Sequence, residues 1–192
     1  MKNYNELFPD NLLKTAIEKR LNFLKDYIDQ YFWLEDERHY SAVAILKTND
    51  AKKINLATSG AGHLLFTGLV NRSRTASIVK RLFQNDMITP LGIRMVSSRS
   101  SYFNPCKYQT GSIWSQDNWI ILQGLKYSGF SKEAKLLKEY NLNAISIIED
   151  PYEYYSVDLE NNIIKPEMLE IYPCMSQAWT AGAFIDIIKD KF

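Results

Sequence analysis

The chain has 192 residues, with 23 Lys and Arg against 22 Asp and Glu and a net charge of +1. That balance excludes the broad basic surface with which proteins hold nucleic acid. No apolar run approaches the roughly 18 residues needed to span a bilayer. Residues 1–10 are polar and hold no secretory leader core. Both features point to a cytoplasmic protein without membrane partners. A hydrophobic share of 46% and a charged share of 23% suit one globular domain with a real core. Aromatics reach 13%, which fits a ring-rich core more readily than a cleft that stacks on sugars or bases. Cys106 and Cys174 lie far apart with no CxxC or CxxH spacing, and there are two histidines. No zinc site, other metal or organic cofactor is expected, and reduced thiols are.

Leu13, Ile17, Leu24, Ile28 and Tyr31 recur at helical spacing, with Lys14, Glu18, Lys25 and Asp29 opposite them. They predict an amphipathic helix over 11–32, with Pro9 just ahead of it. Residues 40–46 read as a short strand or extended loop, and 58–62 as a turn. Short helices are expected over 63–70 and 73–83. Residues 88–112 break the pattern with Pro90, Gly92, Asn104-Pro105 and Gly111, and a long ordered loop of this kind is usually functional. A helix is expected over 113–127, then another over 132–148 capped by Ser131. An irregular stretch over 151–172 precedes a last helix from Ser176 to about Lys189. Helix pairs joined by long loops, with little strand, make the fold class all-α.

Four segments carry a family resemblance in chain order. Thr58-Ser59-Gly60-Ala61-Gly62-His63-Leu64-Leu65-Phe66 is similar to SNxGHLLW, and Gly92-Ile93-Arg94-Met95-Val96-Ser97 to GIRTLS. Tyr102 to Asn118, running YFNPCKYQTGSIWSQDN, resembles YNPxSYHNGSVWPHDN, and Tyr172 to Ala183 resembles YPxACSPQAWAAGA. Phe32-Trp33-Leu34-Glu35-Asp36 adds a weaker likeness to FWxED. Together they resemble the glucosidase domain of glycogen-debranching enzymes. The resemblance implies a partial (α/α)6 toroid of helical hairpins, with residues 1–192 as a single domain matching the C-terminal half.

The resemblance also implies chemistry. An inverting glycosidase sets an acid and a base on opposite sides of the scissile bond. The family's base lies in a PELF segment, whose counterpart is Pro151-Tyr152-Glu153, so Glu153 is the candidate general base, with one residue inserted after the proline. A solvated loop glutamate is the plainer reading of the same residue. The family's acid belongs to a WMDA-like segment in the preceding half, and nothing like it occurs before Thr58. Trp114 and Asp117, with Asn118 beside them, are expected to stack on and hydrogen-bond a sugar. Arg94, Tyr108, Gln177, Trp179 and His63 are the further substrate-binding candidates, each with a structural alternative as brace, core or salt bridge. Gln109-Thr110 stands where the family has HN, and Ser115 where it has the proline of WP. These departures imply altered specificity or an inactive protein. The expected function is therefore an α-glucan-metabolising glycosidase relative, incomplete alone, with an α-glucan or oligosaccharide as ligand. A second polypeptide carrying the missing half, or a second copy of the chain, is the expected protein partner. A non-catalytic glucan-binding protein and a self-contained homo-oligomeric α-glucosidase are the alternatives.

Overall fold

A computed structural model describes residues 11–41, 44–47 and 50–190. Helix α1 spans Asn11–Tyr31 as its periodicity predicts, and Pro9 lies outside the described residues. Two small antiparallel hairpins follow. Strands β1 (Trp33–Leu34) and β2 (His39–Tyr40) pair Trp33 with Tyr40, and β3 (Ala44–Lys47) pairs with β4 (Asp50–Lys53). The stretch over 40–46 thus belongs to two different strands, with residues 42–43 outside the described set.

A 3-10 turn over Ser59–His63 runs into the single-turn helix α2 (Leu64–Thr67), which stops at Gly68 with φ 67. Helix α3 spans Arg72–Leu82, and Asn71 caps it by accepting the Arg74 N–H at 3.0 Å. Strands β5 (Ile88–Thr89) and β6 (Gly92–Ile93) close a tight hairpin inside the long loop. Helices α4 (Ser115–Tyr127) and α5 (Ser131–Ile147) form a helical hairpin, and α6 (Ala178–Lys189) packs on both. The described residues are thus mostly helical.

Helix α4 is the axis of the core. Ile121, Leu122 and Leu125 are fully buried, joined by Ile78 and Leu82 of α3 and Leu137 of α5. Two glycines permit this density. A Cβ at Gly62 would stand 2.7 Å from Ile121 Cγ1, and one at Gly124 would stand 2.7 Å from Leu65 Cβ. The turn before α2 therefore lies directly on α4.

Three helix starts differ from expectation, and in two of them a backbone hydrogen bond holds the chain extended. Ile113 exchanges hydrogen bonds with Tyr155 at 2.7 and 3.0 Å, so Trp114 is still extended and α4 begins at Ser115. Trp114 therefore precedes the helix and does not share a helical face with Asp117. Gln177 donates its N–H to Pro151 O at 2.9 Å, so α6 begins at Ala178 and not at Ser176. Ser131 is the first residue of α5, and no side chain caps that helix.

Away from this core a buried ion pair braces the loop that follows β6. Arg81 donates to both carboxylate oxygens of Asp86, at 3.2 and 2.9 Å, and the Ser97 hydroxyl donates to the same group. Burial pushes the Asp86 carboxyl up, but the Ser97 and Arg81 bonds outweigh it and hold the group below its ordinary range.

Candidate functional site

Two strands of extended chain and the start of α4 build a cleft. Its first wall is the turn before α2. Ser59 N–H donates to Met95 O at 3.0 Å, Ser97 N–H donates to Ala57 O at 3.1 Å, and Thr58 bridges Val96. Thr58 is further fixed by His39, which is fully buried with Nε2 3.0 Å from the Thr58 carbonyl oxygen. Burial pushes the His39 imidazole down to about 4, so it is neutral at pH 7 and Nε2–H is the donor. This clamp presents His63 to the first turn of α4.

There His63 Nε2 donates to Asp117 Oδ1. The hydrogen bond from Asp117 raises the His63 pKa above its ordinary value, against the opposing effect of burial. The Asp117 side chain is nearly buried, while that of His63 is 42% exposed. Among the described residues, Asp117 Oδ2 has no hydrogen-bond partner. Around this pair lies a cleft of about 220 Å³, lined by His63, Met95, Gln109, Trp114, Gln116, Asp117 and Ile120. It holds one hydrogen-bonded His–Asp pair, two side-chain amides and apolar walls, the make-up of a small-molecule site.

A second segment, next to the cleft residue Trp114 through Tyr108, carries Glu153. Its backbone is held by the N–H bond to Cys174 O at 2.8 Å, next to the Gln177–Pro151 bond. The Tyr108 hydroxyl donates to Glu153 Oε1 at 2.8 Å. Tyr108 in turn stands edge-on to Trp114 and to Tyr154, both at 5.1 Å between ring centroids, and those two rings stack on each other at 5.5 Å. Burial and the Glu153 carboxylate push the Tyr108 phenol up to about 12, so it remains a donor at neutral pH. Trp114 belongs both to this aromatic cluster and to the cleft lining, whereas Glu153 and Tyr108 do not line the cleft themselves.

The remaining candidates divide. Asn118 is fully buried, and its side chain spends its polar atoms on backbone: Oδ1 accepts from Ile93 N–H at 2.7 Å, and Nδ2 donates to Ile93 O at 3.1 Å and Trp114 O at 3.0 Å. Arg94 is 2% exposed and donates to Val157 O at 2.7 Å and Asp158 O at 2.8 Å. The motifs place both against a ligand, and in the structure both brace the loop: the Asn118 amide is fully engaged with backbone, and Arg94 spends both terminal nitrogens on backbone carbonyls while its Nε has no partner among the described residues. Gln177 is half-buried beside the Glu153 segment. Trp179 is 56% exposed on α6 and does not line the cleft. Sequence reasoning missed Met95, Gln116 and Ile120 in the lining and Tyr154 beneath Tyr108. Tyr154 follows Glu153 directly, and an aromatic next to a candidate base was the available signal.

Among the described residues, no helix is long and apolar enough to cross a membrane, and no group of three His, Cys, Asp or Glu could hold a metal ion. Cys106 and Cys174 are not bonded to each other.

The model of the mannosylglycerate hydrolase MGH1-like glycoside hydrolase domain matches residues 6–158. Among solved structures, a GH63 mannosylglycerate hydrolase from Thermus thermophilus in complex with Tris superposes with a TM-score of 0.65 at 20% identity, over 84% of this chain and 36% of that one. The same hydrolase in complex with glucose gives 0.63 at 20% identity, over 84% and 37%. The neutral trehalase Nth1 of Saccharomyces cerevisiae gives 0.60 at 13% identity, over 86% of this chain and 28% of that one. At these identities the likeness concerns the fold, that of (α/α)6 toroid glycosidases. The chain spans about a third of the length of the structures it matches. No curated protein matches the sequence.

Proposed function

Because the chain belongs to the MGH1-like glycoside hydrolase domain family, we propose that it carries the base-bearing side of an inverting glycosidase site. Its ligand is a short α-linked glycoside, and the general acid comes from a second polypeptide. The observation that carries this is the Tyr108–Glu153 hydrogen bond at 2.8 Å over the Trp114–Tyr154 stack. Tyr108 occupies Oε1 and fixes the carboxylate plane, which leaves Oε2 to take a proton from a water. The water oxygen then bonds to the anomeric carbon as the glycosidic bond breaks, and Glu153 keeps the proton. The His63–Asp117 pair and Gln109 offer hydrogen bonds to the hydroxyls of the sugar held between them.

Within this reading the α-glucan specificity follows from the four glycogen-debranching-like segments. The family match supports a smaller glycoside such as the mannosylglycerate on which the Thermus hydrolase acts. Gln109 and Thr110, in place of the HN of the debranching pattern, favour a sugar specificity altered from that of the debranching enzymes.

A substrate whose leaving group needs no proton isolates the base. α-Glucosyl fluoride departs as fluoride, so the missing acid, typically a 10²–10⁴-fold contribution, no longer matters. The chain alone is expected to release fluoride from it, to leave maltotriose, trehalose and mannosylglycerate intact, and to lose fluoride release at least 100-fold as Glu153→Gln. Equal fluoride release by wild type and Glu153→Gln removes Glu153 from the mechanism. Hydrolysis of maltotriose by the chain alone removes the second polypeptide.

A further inference from the structure

Arg81 does more than brace the loop after β6. Its guanidinium also lines a polar cavity of about 290 Å³, together with Glu37, Asn55, Arg99, Ser101 and Tyr102. Among the described residues, this cavity shares no lining residue with the cleft around Asp117. One backbone pairing serves both. Ala57 and Ser97, bonded at 3.1 Å, line the cavity, while Met95, bonded to Ser59 two residues along, lines the cleft.

The floor of the cavity is saturated. Arg81 is 7% exposed and Asp86 4%. The Asp86 carboxylate accepts two bonds from Arg81 and one from the Ser97 hydroxyl. A fully satisfied buried network of this kind is rigid. The rim is not saturated. The Arg99 side chain is 71% exposed, and its ion pair is a 3.9 Å contact to the already satisfied Asp86. The Glu37 side chain is 34% exposed and stands 3.5 Å from Arg81 Nε. Tyr102 is 63% exposed, and its ring stacks on no other ring among the described residues.

These groups select a ligand by charge. Two guanidinium groups face two carboxylates, so the cavity carries no net charge for an ion. An anion would meet Glu37, and a cation would meet Arg99. An apolar molecule would take both groups out of water without pairing them, which is unfavourable. A neutral molecule with adjacent hydroxyls pairs both, because a hydroxyl donates and accepts. The exposed Tyr102 ring offers an apolar face with a polar tip. The volume lies at the small end of ligand pockets, which suits one sugar unit. We propose that this cavity is a second site of the chain that takes a single neutral sugar unit. Glu37 accepts from one hydroxyl, Arg99 donates to its neighbour, and Tyr102 covers the ring. The site stands apart from the Glu153 assignment and needs no second polypeptide.

The test is an NMR titration of the isotope-labelled full chain with glucose, mannose and maltotriose, and separately with inorganic phosphate. The Asn55 side-chain amide, Arg99 Nε–H and Ser101 backbone amide report on the cavity. The Gln109 and Gln116 side-chain amides report on the cleft. At least one sugar should shift the cavity signals, and phosphate should not. Arg99→Ala and Tyr102→Ala should each weaken that response at least tenfold without changing the response at Gln109 and Gln116. Both side chains are mostly exposed, so the circular dichroism of the variants should match the wild type. Cavity signals that no sugar moves overturn the proposal. So does a response that both variants retain, or one that phosphate produces more strongly than the sugars. Fluoride release from α-glucosyl fluoride is read separately. Its loss in Arg99→Ala or Tyr102→Ala would merge the cavity with the cleft and overturn a separate site. Its absence from the wild type, with the sugar shifts intact, removes the base assignment and leaves this site standing.

Discussion

Acid should weaken this protein through His39, in addition to carboxylates such as Asp86 that are held below their ordinary range. The His39 imidazole is fully buried and held at about 4, against 6.5 for an exposed histidine, chiefly because burial disfavours the charged form. Between those values the unfolded chain binds a proton that the folded chain refuses. The unfolded state therefore holds more protons, and stability falls as pH falls from 6.5 toward 4. At about 1.36 kcal/mol per pH unit the full effect is roughly 3 kcal/mol. Protonation would also place an N–H at Nδ1, which is buried and has no partner among the described residues. Carboxylates titrate in the same range, so the measurement needs a reference. His39→Gln keeps an N–H donor for the Thr58 carbonyl and does not titrate. Urea unfolding followed by circular dichroism at about pH 7, 6, 5 and 4 should show the wild type losing roughly 3 kcal/mol more than the variant. Parallel losses in the two proteins would refute the argument and place the acid sensitivity among the carboxylates.

Three further outcomes follow from the packing and the site. Gly124→Ala places a Cβ 2.7 Å from Leu65 Cβ and 3.0 Å from the Phe66 nitrogen; overpacking against backbone should outweigh the helix-propensity gain and cost about 2 kcal/mol in urea unfolding. Asn118→Ala removes three hydrogen bonds to buried backbone and should cost about 3 kcal/mol, with amide exchange at Ile93 rising well beyond that at Leu122. Asp117→Asn replaces the charged acceptor that raises His63 with a neutral one, so the His63 pKa should fall toward 6.5 in an NMR titration. The sign for stability is the reverse of His39: the His63–Asp117 contribution is fully present below 6.5 and is lost as pH rises through the raised His63 value.

Much of the helical framework was legible because periodicity survives in the sequence. The stripe from Leu13 to Tyr31 predicts α1 almost to the residue, and Ala76, Val79 and Leu82 predict α3. Helix starts were less legible, since a start depends on what the preceding residue bonds to far away in the chain. Ile113 is extended because Tyr155 pairs with it, and Gln177 because Pro151 does. Neither partner is visible in a local window. The same limit explains the site. The motifs point to Trp114, Asp117 and Glu153 as one neighbourhood. They do not say that Tyr108 hydrogen-bonds to Glu153, since the two residues are 45 positions apart.

Asn118 and Arg94 show why a motif residue need not touch a ligand to belong to a site. Asn118 grips Ile93 from the first turn of α4, one residue after Asp117. Arg94, next to Ile93, grips the carbonyls of Val157 and Asp158, just downstream of Glu153. The path Asp117–Asn118–Ile93–Arg94–Val157 therefore joins the start of α4 to the segment just after Glu153 through buried hydrogen bonds. In the function proposed above, Asp117 and Glu153 act together only if their separation is fixed, since an ångström of slack costs orders of magnitude in rate. These two side chains would hold that separation through bonds to one shared hairpin. On this argument the segments that carry Asp117 and Glu153 are fixed within this chain itself.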